Sequence, residues 1–208
     1  MRVRVKICGF SEPEALEAAV QSGVDAVGFV LDPSPRQLSF EVAAALMAGV
    51  PSDVDTVVVM GRPDLREILQ VRERLAPSWI QVMADALPPL AERSGLRLIP
   101  AFEDGADLYE RVARYRSETD EERPLFLVDG PRPGSGVLAQ WDRVLEAVGD
   151  ARLMLAGGIR ADNVADAIER VKPYAVDLSS GVERERGIKD PTLIKEFMAA
   201  VRAAEAAQ

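Results

Sequence analysis

The feature that most constrains the fold of this chain is a strict alternation of short apolar runs with longer segments of helical period. The apolar runs, rich in β-branched residues, lie at 3–7, 26–30, 56–60, 79–82, 96–100, 125–128, 153–156 and 175–178. The helical segments lie at 11–22, 40–48, 64–75, in a weaker stretch ending near Gly95, and at 105–116, 142–147, 162–171 and 191–203. Because the apolar runs lack polar interleaving, they predict parallel strands buried on both faces.

Eight strand–helix units predict an α/β protein, specifically a closed (β/α)8 barrel. A doubly wound open sheet can be built from the same alternation, but eight full units favour the barrel. No linker or shift in composition divides the 208 residues, so we expect a single domain spanning 1–208. Two helix starts are predicted in detail: a capping box from Ser11 to Glu14, and an Asp190 cap followed by Pro191.

Two residue counts exclude several kinds of chemistry. The chain has no histidine, which excludes Ser-His-Asp and Cys-His catalysis and the HExxH zinc site. It has one cysteine, Cys8, which excludes an intrachain disulfide.

The charge and the absence of long apolar runs set expectations about partners. Lys and Arg total 25 against 34 Asp and Glu, a net charge of −9, which is the wrong sign for unspecific binding to nucleic acid or an anionic membrane. The opening stretch is too short and too charged for a signal peptide, and no apolar run approaches the roughly 18 residues of a membrane span. We therefore expect a cytoplasmic protein with no nucleic-acid or membrane partner.

In a (β/α)8 barrel, functional residues lie on the loops that follow the strands. After the seventh strand stand Gly157 and Gly158, and after the eighth stand Ser180 and Gly181. Glycines let backbone N–H groups approach a ligand closely, and the loops after strands 7 and 8 commonly bind phosphate in this fold. These loops predict a phosphate site, although the same glycines also suit plain tight turns.

Two groups that can exchange protons follow strands 1 and 6. Cys8 ends strand 1, where its sulfur can face the barrel mouth, and Lys6 nearby favours its thiolate form. Asp129 ends strand 6, where partial burial favours the neutral acid that can donate a proton. Each also has a structural interpretation: a lone cysteine is often a small buried hydrophobic residue, and an aspartate before a glycine often forms a turn.

Arg36 lies in a loop restricted by Pro33 and Pro35. Most arginines on loops are simply solvated, but this backbone could direct the planar guanidinium at a carboxylate. Arg36 is therefore a candidate ligand-binding residue.

Several motifs together resemble the phosphoribosylanthranilate isomerase family of tryptophan biosynthesis. They are Lys6-Ile7-Cys8-Gly9, Ala26-Val27-Gly28-Phe29, Ser34-Pro35-Arg36, Ala156-Gly157-Gly158-Ile159 with Asn163-Val164, Ala175 through Glu183, and Gly187-Ile188-Lys189-Asp190. The resemblance runs from the first strand to the last helix.

The resemblance implies an Amadori rearrangement of a phosphorylated small-molecule substrate, catalysed without a cofactor or metal. It implies that Cys8 is the general base at the sugar C2 and that Asp129 is the general acid at the ring oxygen. It also implies that Arg36 holds the anthranilate carboxylate, that Asp177 lies at the mouth as a further substrate contact, and that the glycine loops with Ser180 bind phosphate. We expect the enzyme to act as a monomer or a homodimer.

The chain departs from the family pattern after strands 3, 4 and 6. Polar residues that the family usually carries are replaced by Met60 and Gly61, by Met83 and Ala84, and by the segment 137–140. Two alternative functions therefore stay open at this point. One is a paralogous isomerase acting on a different phosphorylated aminosugar or N-glycoside, and the other is a non-catalytic barrel that binds a phosphorylated ligand.

Overall fold

A computed structural model describes residues 2–207 of the chain, in which eight parallel strands close into a barrel. The barrel strands are β1 (Arg4–Cys8), β2 (Ala26–Val30), β3 (Asp55–Val59), β4 (Trp79–Met83), β5 (Leu98–Glu103), β6 (Leu125–Asp129), β7 (Arg152–Leu155) and β8 (Ala175–Leu178). They pair in chain order, and β1 pairs with β8 to close the ring. The predicted α/β fold, a (β/α)8 barrel, is confirmed. The end residues of the predicted domain 1–208, Met1 and Gln208, lie outside the described residues.

The helices surround this barrel. Over residues 2–207 they are α1 (Pro13–Gln21), α2 (Phe40–Met47), α3 (Leu65–Leu75), α4 (Leu108–Ser117), α5 (Trp141–Val148), α6 (Val164–Val171) and α7 (Pro191–Ala206). Between β8 and α7, β9 (Glu183–Glu185) and β10 (Ile188–Lys189) form a short antiparallel hairpin. No helix in this described part of the chain is long and apolar enough to cross a membrane.

The prediction of a helix after strand 4 was wrong. The segment instead contains two 3-10 turns, Ala84–Ala86 and Leu90–Glu92. Pro88 and Pro89 stand between these turns. Because proline lacks the N–H that an α-helix needs and clashes with the preceding turn, the pair prevents a continuous helix before Gly95.

The predicted capping box at Ser11 was also wrong. α1 begins at Pro13, its N-cap Glu12 makes no side-chain capping bond, and the Ser11 hydroxyl donates instead to the Gly187 carbonyl at 3.3 Å. The other predicted cap is confirmed, since the Asp190 side chain accepts from backbone N–H groups of the first turn of α7.

Apolar packing surrounds the strands on both sides. The barrel interior holds small and branched side chains, including Ala26, Val57, Ile99, Leu127 and Ala175. A larger cluster packs the outer faces of the strands against the helices. Burial of both strand faces explains why the strands read as nearly uninterrupted apolar runs.

One charged pair lies inside the barrel at the seam where it closes. Lys6 on β1 stands in register with Asp177 on β8, and the Lys6 Nζ donates to Asp177 Oδ1 at 2.8 Å. The two residues are only 1% and 7% exposed. Burial alone lowers the pKa of Lys6, but the attraction of Asp177 and Cys8 outweighs it and raises that pKa, so the lysine is held as a cation.

We predict that Lys6→Met lowers the free energy of unfolding by about 3–5 kcal/mol, because it leaves the Asp177 carboxylate buried without its partner. Urea denaturation measures the change. A matched control is Arg62→Met, which breaks the exposed Arg62–Asp85 pair and is expected to cost at most about 1 kcal/mol. Equal costs for the two variants would contradict the role given to the buried pair.

Candidate active site

A cavity of about 300 Å³ opens at the carboxyl ends of the barrel strands, the end where this fold places its active sites. A volume of this order is at the lower end for small-molecule sites. Seven of the eight site residues predicted from the sequence line it: Cys8, Arg36, Asp129, Gly157, Gly158, Asp177 and Ser180. The eighth, Gly181, does not line it, and its backbone packs against the carbonyl of Ile159.

The Cys8 side chain points into this cavity from the last position of β1. Its register partner on β2 is Gly28, and a Cβ placed on that glycine would lie 2.7 Å from the Cys8 sulfur. The thiol therefore occupies space that any other residue at position 28 would fill. The sequence singled out Gly28 only as part of a motif, because this packing depends on the register between two strands.

Burial dominates the acid–base behaviour of Cys8. The residue is 8% exposed, and this burial raises the pKa of its thiol, although the Lys6 ammonium lowers it. The expectation that Lys6 would favour the thiolate identified the right neighbour. The effect of Lys6 has the expected direction, but the net pKa is raised, because removing a thiolate from water costs more than the nearby cation returns.

Asp129 faces the same cavity from the end of β6. Burial is the largest cause of its shift, and the Asp177 carboxylate adds to it, so its pKa rises to about 6. One of its oxygens accepts from the Gly130 N–H at 2.7 Å, which fixes the carboxyl at the strand end. A carboxyl with this pKa keeps a substantial neutral fraction close to neutral pH, as a proton donor needs.

The loops that follow β6, β7 and β8 pack closely together, backbone against backbone. Gly157 (φ +81°) and Gly158 (φ +67°) follow β7, and a Cβ on Gly158 would lie 2.8 Å from the Gly136 carbonyl oxygen. The N–H groups of Gly157, Gly158, Ser180 and Gly181 donate to no acceptor within residues 2–207. The first three of these residues line the cavity, so the wall presents N–H donors of the kind that bind phosphate oxygens.

Arg36 also lines the cavity, and its side chain is already paired. Its Nε and Nη2 donate to the two carboxylate oxygens of Glu183 at 2.7 and 2.9 Å. The expected fork is therefore present, but a carboxylate of the protein occupies it. The remaining Nη1 lies next to Gly134, another cavity residue, and donates to no acceptor in the described chain.

Glu183 is held as an anion by this pairing. Burial raises its pKa, but the hydrogen bonds from Arg36 and Lys189 outweigh burial and bring the pKa to about 2. The sequence contained Glu183 and Lys189 in its family motifs but gave neither a role, because Glu183 meets Arg36 only through a contact 147 residues apart.

Another part of the cavity wall is largely apolar. Met60, Gly61 and Met83, three of the positions that depart from the family pattern, line it together with Gln81. Ala84 and the segment 137–140, the other departures, do not line the cavity. The Gln81 Oε1 is buried without a hydrogen-bond partner in residues 2–207, a feature that the sequence did not indicate.

The described residues contain no group of three or more Asp, Glu or Cys side chains close enough to hold a metal ion.

Comparison with known proteins gives one consistent result. The family model described as N-(5'-phosphoribosyl)anthranilate isomerase matches residues 5–200. The N-(5'-phosphoribosyl)anthranilate isomerase of Chromohalobacter salexigens is 40% identical over 96% of this chain and 94% of the relative. That of Methanosarcina acetivorans is 34% identical over 97% of this chain and 94% of the relative.

Solved structures agree. The phosphoribosyl anthranilate isomerase of Thermotoga maritima superimposes with a TM-score of 0.84 at 33% identity, covering 97% of this chain and 99% of that one. A structure of monomers generated from the dimeric enzyme of that organism superimposes with a TM-score of 0.82 at 32% identity, with the same coverage. A relative in complex with reduced 1-(o-carboxyphenylamino)-1-deoxyribulose 5-phosphate gives 0.78 at 34% identity, covering 97% and 99%.

We predict that Gly28→Ala destabilises the protein by about 1–3 kcal/mol, because the new methyl group overlaps the Cys8 sulfur in a packed interior. Urea denaturation measures this cost, with Gly49→Ala as control, since its nearest neighbour would be 3.5 Å away. In a Cys8→Ala background the cost of Gly28→Ala should be smaller, because the sulfur is gone. The same cost in both backgrounds would show that the thiol does not lie against Gly28.

Proposed function

The chain belongs to the N-(5'-phosphoribosyl)anthranilate isomerase family, and on that premise we propose how its own residues carry out the reaction. The enzyme converts N-(5'-phosphoribosyl)anthranilate into 1-(2-carboxyphenylamino)-1-deoxyribulose 5-phosphate in tryptophan biosynthesis. One observation supports the assignment of roles above the others: Cys8 and Asp129, on β1 and β6, face a single cavity. Base and acid can therefore act on different atoms of one small ligand.

Asp129 acts first, as the general acid. It gives its proton to the furanose ring oxygen, and the bond between this oxygen and C1 breaks. The nitrogen lone pair forms the C1=N bond of a Schiff base as the ring opens. Burial supports this role, because it keeps part of the Asp129 population protonated at a pH where an exposed aspartate is fully ionised.

Cys8 then acts as the general base. Its thiolate takes the proton from C2, the C2–H electron pair forms the C1=C2 bond, and the C1=N pair returns to nitrogen. The resulting enol loses its hydroxyl proton and gains one at C1, which completes the ketone. Asp129 is left as a carboxylate and Cys8 as a thiol, so a proton passes from the thiol to the carboxylate before the next turnover. These steps need no cofactor, because hydrogen moves only as protons.

Substrate binding divides between the cavity walls. The unpaired N–H groups of Gly157, Gly158 and Ser180 support phosphate binding there, and the N–H of the adjacent Gly181 is also without an acceptor in the described residues. The free Nη1 of Arg36 supports binding of the anthranilate carboxylate. The apolar part of the wall, with Met60 and Met83, suits the aromatic ring of the substrate.

The position of Asp177 gives it a role beneath the ligand. It lines the cavity, but its carboxylate is bound to Lys6 at 2.8 Å. We therefore propose that Asp177 contributes to the reaction chiefly through Asp129, because its negative charge raises the pKa of that general acid.

The partner of the enzyme is a small phosphorylated molecule, like the ligand bound by the relative of known structure. We further propose that it works in the cytoplasm as a monomer or homodimer, without nucleic-acid or membrane partners. A net charge of −9 and the dimeric relative support this proposal.

The direct test of this function is the loss of fluorescence of freshly made N-(5'-phosphoribosyl)anthranilate when the purified protein is added. Cys8→Ala and Asp129→Asn should each slow turnover by at least about 10²–10⁴, the usual contribution of a general acid or base. Thermal melts confirm that each variant is folded. A folded variant with turnover like the wild type would remove that residue from the mechanism, and an inactive wild type would refute the function.

We predict that inorganic phosphate inhibits competitively and that Gly158→Ala raises its inhibition constant by about tenfold or more, equivalent to about 1.4 kcal/mol. The added methyl group strains a left-handed backbone and displaces the Gly136 and Leu138 backbones. Gly95→Ala is the matched control, because Gly95 has a similar φ of +72° in an uncrowded place. Equal inhibition constants in both variants would place phosphate elsewhere.

The pH dependence follows from the two shifted groups. Below about pH 6 both are protonated and the thiol cannot accept a proton, whereas above the raised pKa of Cys8 both are ionised and Asp129 cannot donate. Between these limits one proton is shared, and a constant minority of molecules carries thiolate with neutral acid. We therefore expect kcat/KM to be flat from about pH 6 to the alkaline pKa of the thiol.

The profile of Cys8→Asp checks this assignment, because a carboxyl then replaces the thiol. Its alkaline limb should move down into the range where carboxyls titrate. An alkaline limb that stays in place in an active Cys8→Asp enzyme would show that Cys8 does not control it.

A further inference from the structure

We propose that Lys189, outside the cavity, is a positioning residue that makes Arg36 available to the carboxylate of the substrate. It acts by neutralising Glu183, the carboxylate that occupies the fork of Arg36. The inference rests on the proposed function, in which Arg36 binds that carboxylate.

Lys189 is a lysine buried among oxygen atoms. It is 1% exposed, and its Nζ donates to Glu183 Oε1 at 2.6 Å, to Ser179 Oγ at 2.9 Å and to the Ser179 carbonyl at 3.1 Å. All three ammonium donors are therefore used. Because an unpaired buried charge is costly, a lysine in this place is tied to a specific anionic partner.

Glu183 lies between two cations. It accepts two hydrogen bonds from Arg36 and one from Lys189. Two positive charges and one negative charge leave a net charge of +1 at this wall of the cavity. Without Lys189, the charge of Glu183 would cancel that of Arg36, and the wall would lose its attraction for a second carboxylate.

The β9–β10 hairpin holds this arrangement in place. Lys189 and Glu183 are register partners across the hairpin. At its turn, Gly187 (φ +93°) packs so closely that an added Cβ would lie 2.5 Å from the carbonyl oxygen of Pro35, next to Arg36. The hairpin therefore supports both the backbone and the charge of Arg36.

Lys189 does not line the cavity, so it acts through other residues and not on the ligand. A second branch of the same network reaches the base, since Ser179 Oγ donates to the Cys8 carbonyl at 2.8 Å. A loss of turnover in a Lys189 variant would therefore mix two effects. A binding measurement that isolates the carboxylate separates them.

The experiment compares the dissociation constants of two stable ligands by calorimetry. One is reduced 1-(o-carboxyphenylamino)-1-deoxyribulose 5-phosphate, and the other is the same compound without the ring carboxylate. The dissociation constant of the compound without the carboxylate, divided by that of the compound with it, measures how strongly the protein recognises the carboxylate. A general loosening of the site changes both constants together and leaves this ratio unchanged. The variants are Lys189→Met and Lys189→Gln, whose amide can still form hydrogen bonds without the charge.

We expect both neutral variants to reduce this ratio at least tenfold, and Lys189→Arg to restore most of it. Lys195→Met, which removes an exposed lysine of α7, should leave the ratio unchanged. In an Arg36→Met background, Lys189→Gln should have no further effect on the ratio, because the residue through which it acts is gone.

The outcomes separate the inference from its premise. If Arg36→Met leaves the ratio unchanged, Arg36 does not bind the carboxylate and the premise fails. If Arg36→Met removes the discrimination but folded Lys189→Gln or Lys189→Met keeps it, the premise stands and the role of Lys189 is refuted. A parallel weakening of both ligands in the Lys189 variants would show a merely structural role and would also refute it.

Discussion

The Lys6–Asp177 ion pair sets the electrostatics of the barrel interior. It joins β1 to β8 where the barrel closes, and most of the side chains packed inside the described barrel are apolar. In such surroundings a charge acts strongly on its neighbours, because little water screens it. The Lys6 cation lowers the pKa of Cys8, and the Asp177 anion raises the pKa of Asp129. Each member also acts on the other group in the opposite sense, since Asp177 raises the pKa of Cys8 and Lys6 lowers that of Asp129. At each strand end the larger of the two effects favours the form that the proposed mechanism needs, thiolate at one and neutral acid at the other.

Burial adds to the effect of Asp177 on the pKa of Asp129 and opposes the effect of Lys6 on the pKa of Cys8. For Asp129, burial and the Asp177 charge act in the same direction, so the acid is well prepared. For Cys8, burial outweighs Lys6 and Lys189, so the resting thiol is protonated. The site therefore holds its reactive combination as a minor form. Burial of the base also has an advantage. A bound ligand can exclude water from the cavity, and this strengthens every charge interaction inside it.

Most of the fold could be predicted from the sequence, because strands buried on both faces appear in it as nearly uninterrupted runs of apolar residues. The failures were local and have local causes: Pro88 and Pro89 interrupt an otherwise helical composition, and Ser11 bonds to Gly187 instead of capping α1. Seven of eight predicted site residues line the cavity because the fold brings strand ends together. The pairing of Arg36 with Glu183, and the balance of burial against charge at Cys8, depend on contacts that no local pattern contains.

The central claim is that the Cys8 sulfur lies against the bound ligand and is required for turnover. Since Cys8 is the only cysteine, intact-mass spectrometry after treatment with a methanethiosulfonate, which transfers a methylthio group to a thiolate and releases a sulfinate, reports modification at this one atom. The account predicts a single adduct, loss of turnover in proportion to its formation, and protection by reduced 1-(o-carboxyphenylamino)-1-deoxyribulose 5-phosphate. A fully modified protein that still turns over, or an adduct that forms equally fast with the ligand bound, would contradict it.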